Sequence, residues 1–241
     1  MILFIFSIKK LIPINMEKNY EVKKIEGELV ADYQIKAVFL GDSGVGKTSL
    51  IKYEIENKFP ARTQPTSIFQ YFSKKSQICD KVVHLQIWDL GGDATYEKVI
   101  SNFYSAALCI FFVFSLDNKD SFYNLDKWIN NVKNDYQSML PFLILIGNKK
   151  DIIDNRKITK EEIDDFVLKN NIDYYYETSA KSGESVHELF EDIIKKLYIK
   201  FIEPNLSDGY STKSSQSSVR SFLNPCGFET ERCKVCDCEI F

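Results

Sequence analysis

Residues Gly41 to Ser49 read Gly-Asp-Ser-Gly-Val-Gly-Lys-Thr-Ser and follow directly on the apolar run Gln34 to Leu40. This is G-x-x-x-x-G-K-T set between a strand pattern and a helical pattern that begins at Lys47. Few folds accept that junction. Backbone N–H groups of Ser43 to Thr48 can wrap an anionic phosphate chain. Gly44 and Gly46, on either side of Val45, allow close backbone approach, and the helix N-terminus adds a favourable dipole. Lys47 would reach the β- and γ-phosphates, and Thr48 would offer its hydroxyl to Mg²⁺. The expected binding segment runs from Asp42 through Ser49, and the expected ligand is a nucleoside phosphate.

The choice of base is written further along. The apolar run Pro141 to Ile146 is followed by Gly147-Asn-Lys-Lys-Asp151. A carboxylate at a strand end can accept from the N1–H and the exocyclic amine of guanine. Adenine lacks that donor pair and would leave Asp151 without partners, so discrimination is steep. Asn148 and the aliphatic stem of Lys149 are expected to shape the rest of the base pocket. After another short strand comes Glu177-Thr-Ser-Ala-Lys181, where Ser179, Ala180 and Lys181 complete the pocket and the Ala180 N–H is placed for guanine O6. The two base motifs gain their force from the phosphate loop that precedes them.

Strand-like runs at Gln34–Leu40, Ser67–Cys79, Lys81–Trp88, Ala107–Phe114, Phe142–Ile146 and Tyr174–Thr178 alternate with helical patterns. The latter lie at Lys47–Asn57, Tyr96–Phe103, Ser121–Asp135, Thr159–Asn170 and Ser185–Phe201, the last opened by Ser185-x-x-Glu188 as a capping box. Alternation predicts an α/β fold, a doubly wound, mostly parallel sheet of six strands with flanking helices. A net charge of −3 over 241 residues gives no reason to expect nucleic acid as a partner. Cysteines are sparse in the domain, Cys79 and Cys109 lying alone, which points to a reducing cytosol.

With these residues in view, the chain from Tyr33 to Ile202 resembles a small GTPase of the Ras superfamily, and most of all its Rab branch. The likeness rests on Gly41 to Thr48, Thr66, Leu85-Gln-Ile-Trp-Asp89, Gly92, Asn148 to Asp151 and Thr178 to Lys181. It implies a P-loop NTPase G domain that binds GTP or GDP with Mg²⁺ and switches between the two states. It places Thr48, Thr66 and Asp89 at the metal, Asp89 through water. It puts Phe59 against the guanine and the Gly92 N–H on the γ-phosphate. Lys47, Thr66 and position 93 become the catalytic positions. The implied partners are an exchange factor, a GTPase-activating protein, effectors, and a prenyl-binding escort or dissociation inhibitor, with the protein itself a monomer. The implied setting is vesicle traffic, between the cytosol and the cytoplasmic face of intracellular membranes.

The chain also departs from that pattern. Relatives carry a water-orienting glutamine where this sequence has Asp93, one methylene shorter and without an N–H donor. Its charge faces the γ-phosphate and disfavours the role. One alternative is therefore a GTP-binding switch module with negligible intrinsic hydrolysis; another is an unrelated P-loop kinase or ATPase.

Residues 203–241 form the expected flexible tail, serine-rich from Ser211 to Ser221 and ending Cys238-Glu-Ile-Phe241. That end fits a prenylation signal on Cys238, with Phe at the last place favouring geranylgeranyl, and Cys236 is the candidate for a second lipid. Residues 1–32 form an N-terminal extension. Met1 to Ile14 is apolar, with Lys9 and Lys10 inside it, and too short to span a bilayer. Met16 opens a polar stretch, so either translation starts there or the first residues form an accessory arm.

Overall fold

The computed structural model describes residues 20–25, 29–93, 102–136 and 140–207. The central sheet has seven strands: β1 (Val22–Lys24), β2 (Tyr33–Leu40), β3 (Phe69–Ile78), β4 (Lys81–Leu90), β5 (Cys109–Ser115), β6 (Phe142–Asn148) and β7 (Tyr174–Glu177), in the order β1-β3-β4-β2-β5-β6-β7. β2 runs parallel to β4 and β5, and β5, β6 and β7 continue parallel. Among the described residues, only β3 on β4 and β1 on β3 are antiparallel. The expected six strands are all present; the seventh, β1, is an addition the sequence pattern did not announce.

Phe111 to Phe114 of β5 are fully buried, alternating between two cores as their side chains alternate across the sheet. One core packs Phe39, Phe111 and Ile144 against helices α1 (Lys47–Glu56) and α5 (Val186–Leu197). The other packs Val38, Phe112 and Leu145 against α2 (Lys119–Tyr123), α3 (Leu125–Asp135) and α4 (Lys160–Asn170). A strand covered on both faces reads as unbroken hydrophobicity, which is why β5 and β6 were visible in the sequence.

Three helix boundaries differ from expectation. The single helix expected over Ser121–Asp135 is two, because Asn118 caps α2 by accepting from the N–H groups of Asp120 and Ser121 while Asn124 separates it from α3. The capping box expected at Ser185 does not form: Ser185 adopts φ 57 and makes no side-chain cap. The box is instead made at α4, where Thr159 Oγ1 accepts from the Glu162 N–H and Glu162 accepts from the Thr159 N–H. The last helix turns π-helical over Tyr198–Ile202 and continues as α6 (Glu203–Ser207), past the expected start of the tail. Of the helix expected at Tyr96–Phe103, residues 102–104 are helical; 94–101 lie outside the described residues, as do 1–19 and the tail cysteines Cys236 and Cys238.

Ahead of β1, Tyr20 buries its ring beside Tyr198, with 6.0 Å between ring centroids. Its hydroxyl reaches both carboxylate oxygens of Glu203 at 2.8 Å. Burial and that carboxylate push the phenol up to about 12. Residues assigned by pattern to an extension and a tail are thereby joined to the body. No helix of the described residues is long and apolar enough to cross a membrane.

Candidate functional site

The loops after the carboxyl ends of β2, β4, β6 and β7 open on a cleft of roughly 800 Å³, a size suited to a nucleotide. Between β2 and α1 the loop turns on two glycines that only glycine serves well. Gly44 has φ 78 with open space where a Cβ would stand, and Gly46 has φ 100 with that place 2.3 Å from Asn148 Nδ2. Lys47, 6 % exposed, curls under the loop and donates to the carbonyls of Gly41 at 2.7 Å and Asp42 at 2.9 Å. Burial lowers its ammonium to about 8, against the opposing pull of Asp89 and Asp42. A desolvated cation beneath a cup of N–H groups is the complement of a phosphate.

Asp42 contributes no side chain to the cleft: its carboxylate accepts from Asn124 Nδ2 at 2.7 Å and Trp128 Nε1 at 3.3 Å, tying the loop to α3. Val45 belongs to the core. Ser43, Gly44, Thr48 and Ser49 line the cleft.

At the phosphate end three oxygens converge. Thr48 Oγ1 donates to Asp89 Oδ2, Thr66 Oγ1 reaches the same oxygen at 3.2 Å, and the two hydroxyls are 3.0 Å apart. Asp89 is fully buried, desolvation raises its carboxyl above the ordinary range, and its Oδ1 has no hydrogen-bond partner among the described residues. A buried carboxylate with an orphaned oxygen beside two hydroxyls is a hard-oxygen set that fits Mg²⁺. The backbone of Gly92 lies so near the loop that a Cβ there would stand 2.2 Å from Asp42 C and Ser43 N. Asp93 is exposed and does not line the cleft.

At the base end the motifs divide their work in a way the sequence did not show. Asn148 is 1 % exposed and acts as a brace. Its Nδ2 donates to the Val45 carbonyl at 2.8 Å, and its Oδ1 accepts from the Ala180 N–H at 3.1 Å and from Thr178 Oγ1 at 3.4 Å. The Ala180 N–H expected for guanine O6 is thus already engaged, and a base oxygen there would share a forked donor. Asp151 lines the cleft with one oxygen held by Ser179 Oγ at 2.6 Å and the other 4.0 Å from Lys181 Nζ. Lys149, at φ 65, lines the cleft and sets its ammonium 3.6 Å from Asp117. Phe59 stands in the lining at 38 % exposure. Arg62, Gln64 and Gln70 also face this space, and none was singled out in the sequence because no motif marks them.

The family model of the Ras family matches residues 36–199. Among curated relatives, the chain is 32 % identical over 170 residues to Ras-related protein Rab-2B of Dictyostelium discoideum, covering 69 % of this chain and 83 % of that one. It is 31 % identical to Ras-related protein RABA1h of Arabidopsis thaliana, over 69 % and 76 % of the two chains. To GTP-binding protein ypt3 of Schizosaccharomyces pombe it is 29 % identical, over 69 % and 77 %. With the phosphate loop, the oxygen cluster and the base motifs brought to one cleft, the chain belongs to the Ras family, as a divergent small GTPase of the Rab type.

Proposed function

We propose that this protein is a GTP/GDP switch of vesicle traffic whose two states are read out by the loop carrying Thr66. The observation behind this reading is that Thr66, from the loop after α1, and Thr48, from the phosphate loop, meet on one carboxylate, Asp89. Whatever occupies that point couples the position of the loop to the length of the phosphate chain.

In the bound state the N–H groups of Ser43 to Thr48 hold the β-phosphate, and Lys47 regains a full charge against the anion. Thr48, Thr66 and Asp89 would hold Mg²⁺, which would supply neutralisation of the phosphate charge. The Gly92 N–H meets the γ-phosphate. Asp151, fixed by Ser179, accepts from the guanine edge, and Phe59 covers the base. The Asp93 side chain has no N–H with which to orient water, so hydrolysis at this site is slow, and a partner supplies what position 93 lacks.

Effectors read the aromatic surface beside the loop, where Tyr71 (47 % exposed) packs edge-on against Trp88 and Trp88 against Phe103. The buried Trp88 indole N–H has no acceptor among the described residues. Prenylation of Cys238, with Cys236 as a second lipid site, holds the protein on the cytoplasmic face of a membrane, because one chain alone binds only reversibly. An escort protein that shields the lipid accompanies the soluble form, which is a monomer.

The test is nucleotide identity. Protein purified with Mg²⁺ and then denatured should release GDP or GTP on chromatography. An adenine nucleotide, or equal calorimetric affinity for ATP and GTP, would overturn the reading. For the anchor, Cys238→Ser should retain nucleotide and leave membranes; a variant that stays on them would refute it.

A further inference from the structure

Outside the cleft lies a group that nucleotide chemistry does not use. Glu54, on α1, has a fully buried carboxylate. Its Oε1 is paired with Lys74 Nζ from β3, and its Oε2 lies 2.6 Å from His187 Nδ1 on α5. The Lys74 side chain is 10 % exposed and that of His187 45 %. The imidazole carries the chain of contacts onward: its Nε2 is 3.0 Å from Asn57 Oδ1, and its ring lies against Tyr53, 5.7 Å between centroids. Asn57 is the left-handed cap of α1, at φ 53, with its N–H on the Tyr53 carbonyl at 2.8 Å. None of Glu54, Asn57, Lys74 and His187 lines the cleft.

Stability does not account for this arrangement. A buried ion pair is repaid for desolvation only with good geometry, and apolar residues of the same volume serve a core as well or better. What the charges give is a fixed geometry, and the geometry encloses one loop. Residues 57 to 68 leave α1 at Asn57, pass Phe59 at the base end and Thr66 at the metal end, and enter β3. His187 grips the first end of that loop through Asn57. Lys74, the sixth residue of β3, ties to α1 the strand that the other end enters, a strand also paired with β4 from Phe69 on. Glu54 joins the two grips, and α5, which supplies His187, starts just beyond the base loop that holds Ala180.

We propose that Glu54, Lys74 and His187 form a clasp that sets the lifetime of bound nucleotide by tying the first end of the 57–68 loop to α5 and the strand that follows the loop to α1. They are positioning residues, acting through Phe59 and Thr66 without touching the ligand. The inference rests on the nucleotide-switch reading above and goes beyond it, since it assigns the release rate to a buried network outside the cleft. Opening the loop far enough to free the base draws Asn57 away from His187, whose ring is held by the Glu54 carboxylate that Lys74 keeps in place, so the clasp resists release.

The experiment uses the full chain loaded with a fluorescent GDP analogue in Mg²⁺ and chased with excess GDP. The double variant Glu54→Leu/Lys74→Leu exchanges the pair for apolar side chains, so its melting temperature should equal or exceed the parent's, while GDP release accelerates at least fivefold. His187→Ala, at a half-exposed position that folding tolerates, should accelerate release similarly with an unchanged association rate. His187→Gln, which keeps an N–H donor within reach of Glu54, should stay within twofold of the parent. The proposal is overturned if the double variant folds and releases GDP at the parental rate. It is equally overturned if His187→Ala has no effect, or if Ala and Gln at 187 accelerate release alike. A parent protein that retains no guanine nucleotide would instead refute the switch reading itself.

Discussion

Asn148→Ala is the sharpest test of how this site is built. The side chain is 1 % exposed and satisfies two main-chain groups from different segments, the Val45 carbonyl at 2.8 Å and the Ala180 N–H at 3.1 Å. Truncation leaves both buried without partners, and each such group costs about 1–3 kcal/mol. A water entering the space left by the amide would recover part of that, which favours the lower half of the range, about 2–4 kcal/mol in total. If the brace sets the spacing between phosphate and base loops, the loss falls on nucleotide binding. At about 1.4 kcal/mol per tenfold, GDP affinity should drop on the order of 30- to 1,000-fold. If the brace serves only the fold, the same energy appears as a melting temperature lower by about 2–4 °C per kcal/mol. Calorimetric titration with GDP and thermal denaturation with and without nucleotide separate the two. A variant whose GDP affinity stays within threefold of the parent, whatever its melting temperature, would refute the claim that Asn148 couples the loops. Asn148→Asp provides a check of sign: it keeps an acceptor for Ala180 but faces the Val45 carbonyl with a carboxylate, and should bind no better than the alanine variant.

Asp151→Asn places a donor where guanine presents donors and should move preference from guanine to xanthine nucleotides in a competition assay; unchanged guanine preference would remove Asp151 from the base edge. Asp93→Gln restores a water-orienting amide and should raise the single-turnover rate of GTP hydrolysis, and an unaltered rate would show that position 93 has no part in catalysis. Lys47 has its native pKa lowered by burial from 10.5 to about 8, so between those values the unfolded chain binds a proton that the nucleotide-free native state has shed. Its stability should therefore rise with pH across that window and lose the gain as pH falls through about 8. A phosphate beside Lys47 restores the proton, so GDP binding at pH 9 should take up protons, seen as a dependence of binding enthalpy on the buffer's ionisation enthalpy; no such dependence would refute the contact.

What could be read from the sequence was whatever is local. The turn from β2 into α1 is a contiguous motif, and its glycines, lysine and threonine mean the same thing before and after folding. β5 and β6 are continuous apolar runs, so their burial on both faces was legible. β1 was not, because Val-Lys-Lys has no period and becomes a strand only by meeting Ser76 to Ile78 across the sheet. The exchange of capping boxes has a similar cause: Ser185 and Thr159 both stand three residues before a glutamate, and Ser185 loses because the preceding turn places it at positive φ. Asn148 was assigned to the base because its motif lies there, while its partners Val45 and Ala180 are far away in sequence. The same distance hides the roles of Asp42, whose acidic side chain serves α3, and of His187, whose partners Glu54 and Asn57 lie 133 and 130 positions away.

The hydrogen bond from Tyr20 to Glu203 spans 183 positions of sequence. It closes nearly the whole domain into a ring, so the first described residue and the last helix share one corner of the surface. The same closeness of ends makes the domain a natural candidate for circular permutation, in which a short peptide replaces the Tyr20–Glu203 contact and new termini open in a surface turn such as Cys79-Asp80 between β3 and β4.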